Sequence, residues 1–523
     1  MSKRVPFTPG DLAHRQWGTD DILPGDPTTN ILIGDAGGSM FDFSRGGNDT
    51  FTESAPSNYT FYGDAAGSLF GFARGGDDTF TVGGSTNFFF TTTAYGDAGG
   101  DMSDHSKGGS DTFSTGPGRQ QDNTFYGDAG RNISGHAQGG DDTFLANTAQ
   151  GAFHTFYGDA GGDMSDHGKG GNDTFQGARQ ATNTFFGDTG GNMSGHAQGG
   201  DDSFTARNDS LNTFYGDAGG DMSDHSKGGN DTFQGGNSAT KIFFGDAGGN
   251  MSGHAQGGDD SFIDVAGDLS RKTFYGDAGG DMSGFAQGGN DTFTTGSASQ
   301  ITFYGDAGGN MRDHTHGGDD AAVLQGTNNL AYGDAVTMLG NATGGNDALT
   351  GGDKTFSPDV LSQLYGDALA MAASATGGDD ILTGGSNAVG GQVNNFLCGD
   401  AFLMSGSAKG GNDILYAGSA APGCSVKNDM WGDGQLSDFA QGGADLFVFK
   451  DDGPMTVGTD NFIEDFSQSQ DDKIVFSGVA GVQSFNDLII TQSGTSTIIA
   501  AGTDQVTLEN FTNPLTANDF LFV

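Results

Sequence analysis

The chain has 523 residues, with 97 Gly, 10 Pro and 42 Phe, and a formal net charge of −46 from 67 acidic and 21 basic residues. So many aromatics argue against a disordered acidic chain, so few prolines against collagen or a Pro-rich linker, and the sign of the charge against a nucleic-acid partner. Only Glu53, Glu464 and Glu509 are glutamates, so the acid is nearly all aspartate, the short residue of turns and hard-cation sites.

Residues 1–29 are polar, with Pro6, Pro9, Pro24 and Pro27, and are expected to form a tail or N-terminal cap. They lack the apolar stretch of a signal peptide, and no run in the chain reaches transmembrane length. From residue 30 to residue 449 one unit recurs fourteen times, typified by TFYGDAGGDMSDHGKGGNDTF at Thr155–Phe175. It holds two Gly-Asp turns, GDAGG and GGND, around a short strand-like run, MSDH. A fixed period of about 30 residues predicts a solenoid, in which no repeat buries its apolar face alone. From the first turn's Gly to the GGxD turn the spacing is 12 in the first ten repeats, 11 in the next three (Gly333 to Gly344) and 10 in the last (Gly432 to Gly442). The rest of each repeat varies in length, as an edge loop does.

The columns read as faces. Phe51, Phe80, Phe113, Phe144, Phe175, Phe204, Phe233, Phe262 and Phe293 follow Thr or Ser, so Phe is expected inward and Thr outward on a strand. Met40, Leu69, Met102, Ile133, Met164, Met193, Met222, Met251, Met282 and Met311 form a second inward column. Two further columns alternate. One runs Asn48, Asp77, Ser110, Asp141, Asn172, Asp201; the other runs Asp42, Gly71, Asp104, Gly135, Asp166, Gly195, Asp224, Gly253 and slips at Gly284. Alternation doubles the spacing of charges that would otherwise repel at one strand separation, about 4.8 Å. Duplication of a two-repeat unit would give the same pattern.

Two aspartate columns do not alternate. Asp35, Asp64, Asp97, Asp128, Asp159, Asp188, Asp217, Asp246, Asp277, Asp306, Asp334, Asp367, Asp400 and Asp433 follow the first Gly. Asp49, Asp78, Asp111, Asp142, Asp173, Asp202, Asp231, Asp260, Asp291, Asp320, Asp347, Asp380, Asp413 and Asp445 close the GGxD turn. Such carboxylate ladders should repel themselves unless cations lie between them. Calcium, which takes six to eight oxygens in flexible geometry, is the expected ion, and turn-capping by Asp is the alternative.

GGNDTF at residues 170–175 and GGNDILYAG at residues 410–418 resemble shortened forms of the GGxGxDxUx nonapeptide of the RTX (repeats-in-toxin) calcium-binding proteins. The resemblance implies an all-β chain: a parallel β-solenoid (β-roll or β-helix) of about 14 coils of 28–33 residues, with calcium in the turns between coils. Asp49, Asp173 and Asp413 match the family's Asp best, whereas the 12-residue interval departs from nonapeptide spacing. GADLFVFKDDG, NFIEDFSQSQDDKIVF, FNDLIITQSG and the ending NDFLFV resemble the C-terminal domain of serralysin-type proteins. This implies that residues 450–523 form a small β cap carrying a type I secretion signal.

No HExxH, Walker loop or GxSxG elbow is present, so an enzyme is not expected. His105, His136, His167, His196, His225, His254 and His314 share a column with Phe43, Phe72 and Phe285. A stacking ring is the plain reading, a transition-metal strip or pH sensor the alternatives. A single Cys398–Cys424 bridge is left open. Together these features suggest a secreted or cell-surface, non-enzymatic coat, matrix or adhesion protein that folds on binding calcium ions. Its expected partners are the type I secretion machinery, matrix components or further copies of itself. A bacteriocin-like or membrane-active effector and, from the outward Thr ladder, an ice-binding solenoid are the alternatives.

Overall fold

The computed structural model describes residues 3–4, 7–25, 30–53, 57–83, 90–116, 121–147, 151–237, 240–264, 270–355, 358–451, 456–502 and 504–523. Two compact units divide the chain, residues 1–266 with 277–279 and residues 267–276 with 280–523. Each is a stack of parallel coils, about fourteen in all, as the repeat predicts. Two single-turn 3-10 helices, Phe485–Asp487 and Ala517–Asp519, are the only helices among the described residues.

One coil shows how the sequence does this. Its first strand, Phe153–Tyr157, pairs in parallel with Gln121–Tyr126 of the coil before and Thr182–Phe186 of the coil after. The second strand, Thr174–Gln176, pairs with Thr143–Leu145 and Ser203–Thr205. Between them the chain touches its neighbours at single bridges: Ala160 with Ala129 and Thr189, Met164 with Ile133 and Met193, Lys169 with Gln138 and Gln198. MSDH is thus a bridge at Met164 followed by a turn rather than a strand. Period-two alternation puts Phe156 and Phe175 inside, fully buried with Ala160 and Met164, and leaves Thr174 exposed. Phe113, Phe144, Phe175 and Phe204 stack at 4.8 Å with planes within 4°. Phe175→Ala should open a cavity between two rings that cannot close it. A loss of about 3–5 kcal/mol is expected, read as a lower urea midpoint.

The shortened spacing after Gly333 has a geometric cause. Ala307 pairs with Ala335 and Met311 with Met338, but the register shifts between them, because AGGNM holds one residue more than AVTM. Once that residue is gone the segment becomes a regular strand, Ala335–Met338, Ala368–Met371 and Ala401–Met404 in successive coils.

The Asp/Gly alternation has a steric cause beside the electrostatic one. Asp166 and Gly195 both adopt positive φ, 59° and 71°, a region open to Gly and tolerated by Asp. A Cβ on Gly195 would lie 2.9 Å from the Asp166 nitrogen, so the corner accepts a side chain on alternate coils. The Gly195 amide then donates to Asp224 Oδ2 of the following coil at 3.3 Å. In the Asn/Asp column, Asp201 N donates to Asn172 Oδ1 at 3.0 Å and Asn230 N to Asp201 Oδ1 at 2.9 Å, so charges never meet.

Both ends extend the ladders. Residues 7–25 form a partial coil: Thr8 bridges Ala36, Leu12 takes the Met column against Met40, and Ile22–Gly25 pairs with Thr50–Glu53. At the other end Lys473–Ser477 lies parallel between Leu446–Lys450 and Phe520–Phe522. Asp460–Ile463 pairs with Asp504–Leu508, which continues into the antiparallel hairpin Leu488–Ser493 and Ser496–Ala501. Cys398 and Cys424 are free thiols, so the bridge left open by the sequence is not formed.

Candidate metal centre

The two Gly-Asp turns of a coil fold toward each other, and their carboxylates face inward. All twenty-eight aspartates of the uninterrupted columns are buried, none more than 2 % exposed. Turn-capping at an exposed corner would have left them in water.

Each column has its own hydrogen-bond pattern. In the GGxD column one oxygen receives the amide of the equivalent residue one coil earlier: Asp142 N donates to Asp173 Oδ1, and Asp173 N to Asp202 Oδ1, both at 2.6 Å. In the first unit this rail runs from Asp21 N on Asp49 Oδ1 to Asp231 N on Asp260 Oδ1, and in the second from Asp291 N on Asp320 Oδ1 to Asp413 N on Asp445 Oδ1. In the first-turn column the carboxylate receives the second Gly of its own coil's GGxD turn, as Gly171 N donates to Asp159 Oδ1 at 3.0 Å and Gly345 N to Asp334 Oδ1 at 2.9 Å. The carboxyls of successive coils also approach one another, Asp97 with Asp128 and Asp334 with Asp367.

These bonds leave oxygens over. Oδ2 of Asp78, Asp111, Asp142, Asp173, Asp202 and Asp231 is buried with no hydrogen-bond partner. A buried carboxylate in that state is costly unless protonated or paired with a cation. The turn glycines show where these atoms point. A Cβ on Gly158 would collide with both Asp173 Oδ2 and the carbonyl oxygen of Gly187, and one on Gly170 with the carboxylates of Asp188 and Asp159. Only Gly leaves that space open.

Loss of water raises these acids. Burial, then the charge of Asp35, pushes Asp49 up to about 8; burial pushes Asp35, Asp217 and Asp367 to about 6. Asp78, Asp111 and Asp173 are held well above the carboxylate range, by burial first and by neighbouring aspartates second.

The donors are all hard oxygens, carboxylate and glycine carbonyl, which suits calcium rather than a softer metal. Among the described residues no cluster of three or more His, Cys, Asp or Glu is gathered around one point, so the glycine carbonyls must complete any shell. The corner thus gathers hard oxygen donors, orphaned carboxylate oxygens and a space that only glycine leaves open.

Three aspartates outside the two columns belong to the same ladders. Asp21, in GTDD at residues 18–21, starts the rail. Asp472 receives Asp445 N at 3.2 Å and Ser467 N at 2.7 Å. Asp465 receives the amides of Gly432, Asp433 and Gly434 at 2.9–3.0 Å, and Gln470 Nε2 donates to Asp433 Oδ2 at 2.8 Å. Thus the last first-turn carboxylate is satisfied by protein groups. GTDD shares its Gly and final Asp with GGND and was the available signal; Asp465 and Asp472 lie in a tail with no repeat to align.

A buried polar column also lines the first strands. Asn183 Nδ2 donates to Asn212 Oδ1, Asn395 Nδ2 to Asn428 Oδ1, and Asn428 Nδ2 to Asn461 Oδ1, each at 2.8 Å. Asn395 and Asn428 also hold the edge-loop backbone at Gly385 and Gly418.

Asp173→Asn separates a cation site from a turn cap. The amide keeps the acceptor for Asp142 N and removes one buried charge. In chelator at pH 8, where the parent is expected to lose most of its β signal, the variant is expected to keep more of it; in calcium it is expected to resist urea less. A loss in both conditions would mean that the carboxylate acts as a cap.

Fold and ladders define a parallel β-solenoid repeat protein. No family model matches the chain, and no curated protein and no solved structure matches it. No helix among the described residues is long and apolar enough to cross a membrane.

Proposed function

We propose that this is a secreted, calcium-dependent β-solenoid that folds outside the cell and serves a non-enzymatic structural or surface role as coat, matrix or adhesion component. The observation that carries the reading is the row of buried carboxylate oxygens without partners, repeated coil after coil. Calcium would supply the positive charge those oxygens lack and take six to eight oxygens per ion in all, glycine carbonyls among them.

The chain's own residues couple that binding to folding. Oδ1 of each GGxD aspartate ties its coil to the one before, leaving Oδ2 for the ion. Glycine carbonyls of the next coil reach the same place, so the donors assemble only when coils stack. Ion binding is then folding free energy. Where calcium is scarce the ladders repel and the chain stays open for export; the resemblance of residues 450–523 to a type I secretion domain supports that route.

Far-UV circular dichroism during a calcium titration of chelated protein at pH 8 tests the reading, with magnesium as control. A cooperative gain of β signal with calcium alone is expected. A chain already fully folded in chelator at that pH would overturn it.

A further inference from the structure

The outer corner of the coils carries a second row of metal-ligating groups, chemically unlike the first. His105, His136, His167, His196, His225 and His254 occupy six consecutive coils, all exposed. Their ring centroids are 5.0, 4.6, 5.1, 4.9 and 4.9 Å apart in order. Asp104, Asp166 and Asp224 stand beside them on alternate coils, held there by the positive-φ corner.

A stacking role predicts parallel rings, and the neighbouring aromatic column shows what that looks like. From Tyr62 through Tyr95, Tyr126, Tyr157, Phe186 and Tyr215 to Phe244 the planes stay within 3–7° at 4.7–4.9 Å. The histidines have the same spacing and abandon the stack. Their interplanar angles are 6°, 35°, 32°, 54° and 63° along the row. Tilted rings no longer cover one another face on face; His225 Nδ1 lies 3.1 Å from the Asp224 carbonyl oxygen, so a ring rotation brings nitrogens of adjacent coils onto one ion. Two imidazole nitrogens on one tetrahedral zinc ion, each 2.0–2.1 Å from it, lie about 3.3 Å apart. Centroids near 4.9 Å allow that separation between tilted rings.

We propose that this row is a surface coordination strip for late first-row divalent metals of the Ni²⁺, Cu²⁺ and Zn²⁺ type, each ion gripped by imidazoles of adjacent coils. Imidazole selects such ions over calcium, which prefers oxygen. The two rows therefore sort cations by hardness. No three-ligand cluster is preformed, so water or the alternate-coil carboxylates fill the remaining positions and ions exchange readily.

The protein supplies its own conservative replacement. Phe43 and Phe72 stand in this column, stacked at 5.0 Å, and Phe285 stacks on His314 at 5.1 Å. A variant carrying His167→Phe, His196→Phe and His225→Phe should therefore fold. Full-length protein in millimolar calcium, held constant for wild type and variant alike, is titrated calorimetrically with Ni²⁺. Wild type is expected to bind more than one Ni²⁺, and the variant, whose row keeps adjacent imidazoles only at His105 and His136, to bind fewer. Equal binding by both, or none by wild type, would overturn the proposal. Cu²⁺ electron paramagnetic resonance on wild type gives a readout independent of the variant's folding: nitrogen hyperfine structure is expected, and an oxygen-only spectrum would sink the strip.

Discussion

In chelator at pH 8 the protein is expected to lose most of its β signal, and the same sample brought to pH 4 is expected to regain it. The buried carboxyls have folded pKa values above their unfolded value near 3.8, to about 6 at Asp35, Asp217 and Asp367 and about 8 at Asp49. A raised acid binds more protons folded than unfolded, so its stabilising share is complete below pH 4 and is lost as pH rises through 6 to 8. Ionising Asp217 alone costs about 3 kcal/mol, and several such costs exceed the 5–15 kcal/mol that holds a typical domain together. With calcium bound the sign reverses, because protons compete with the ion for the same oxygens. Circular dichroism across pH 4–8, with and without calcium, checks both slopes. Equal β signal at both ends in chelator would mean that the ladders carry no net charge penalty.

Gly158→Ala is expected to be among the most damaging single methyls in the chain's repeat. Its Cβ would meet the Asp173 carboxylate and the Gly187 carbonyl. The second is backbone, locked in the ladder of the next coil, and cannot swing aside. Two coils must part locally, breaking the Asp173 rail and displacing donors proposed for calcium. A loss of about 4 kcal/mol is expected, with at least a tenfold rise in the calcium needed for half-maximal folding. Gly10→Ala, where a Cβ meets nothing within 4 Å, is the control and should leave both quantities unchanged. An unaltered midpoint for Gly158→Ala would show that the cradle is not tight.

Features that recur at fixed spacing were legible without coordinates. Phe175 and Met164 show inward because every coil repeats them, and Thr174 shows outward for the same reason. What repetition could not reveal was direction. Asp159 and Asp173 lie on turns, which suggests exposure, yet the chain folds their carboxylates into the coil and the glycines make the room. The Asn183–Asn212 rail was hidden because its position also holds Thr92, His154, Lys241 and Lys272, any polar group able to reach its neighbour or the edge loop. GTDD carried a partial signal for Asp21, a turn one glycine short of the pattern.

The alternating corners fix how such a gene can change length. Recombination between tandem repeats adds or removes whole coils, and the ladders tolerate that, since each coil offers its neighbours the same Asp and an apolar residue, mostly Phe or Met, in each inward column. Excising one coil, residues 158–186, would place Asp141 against Asp201 and Gly135 against Gly195, where Asn172 and Asp166 now intervene. Removing two, residues 158–215, keeps these unlike pairs together; like corners follow one another only where the alternation slips, at Gly253 and Gly284. The heritable unit is therefore the coil pair, and length variants of this architecture should differ by even numbers of turns.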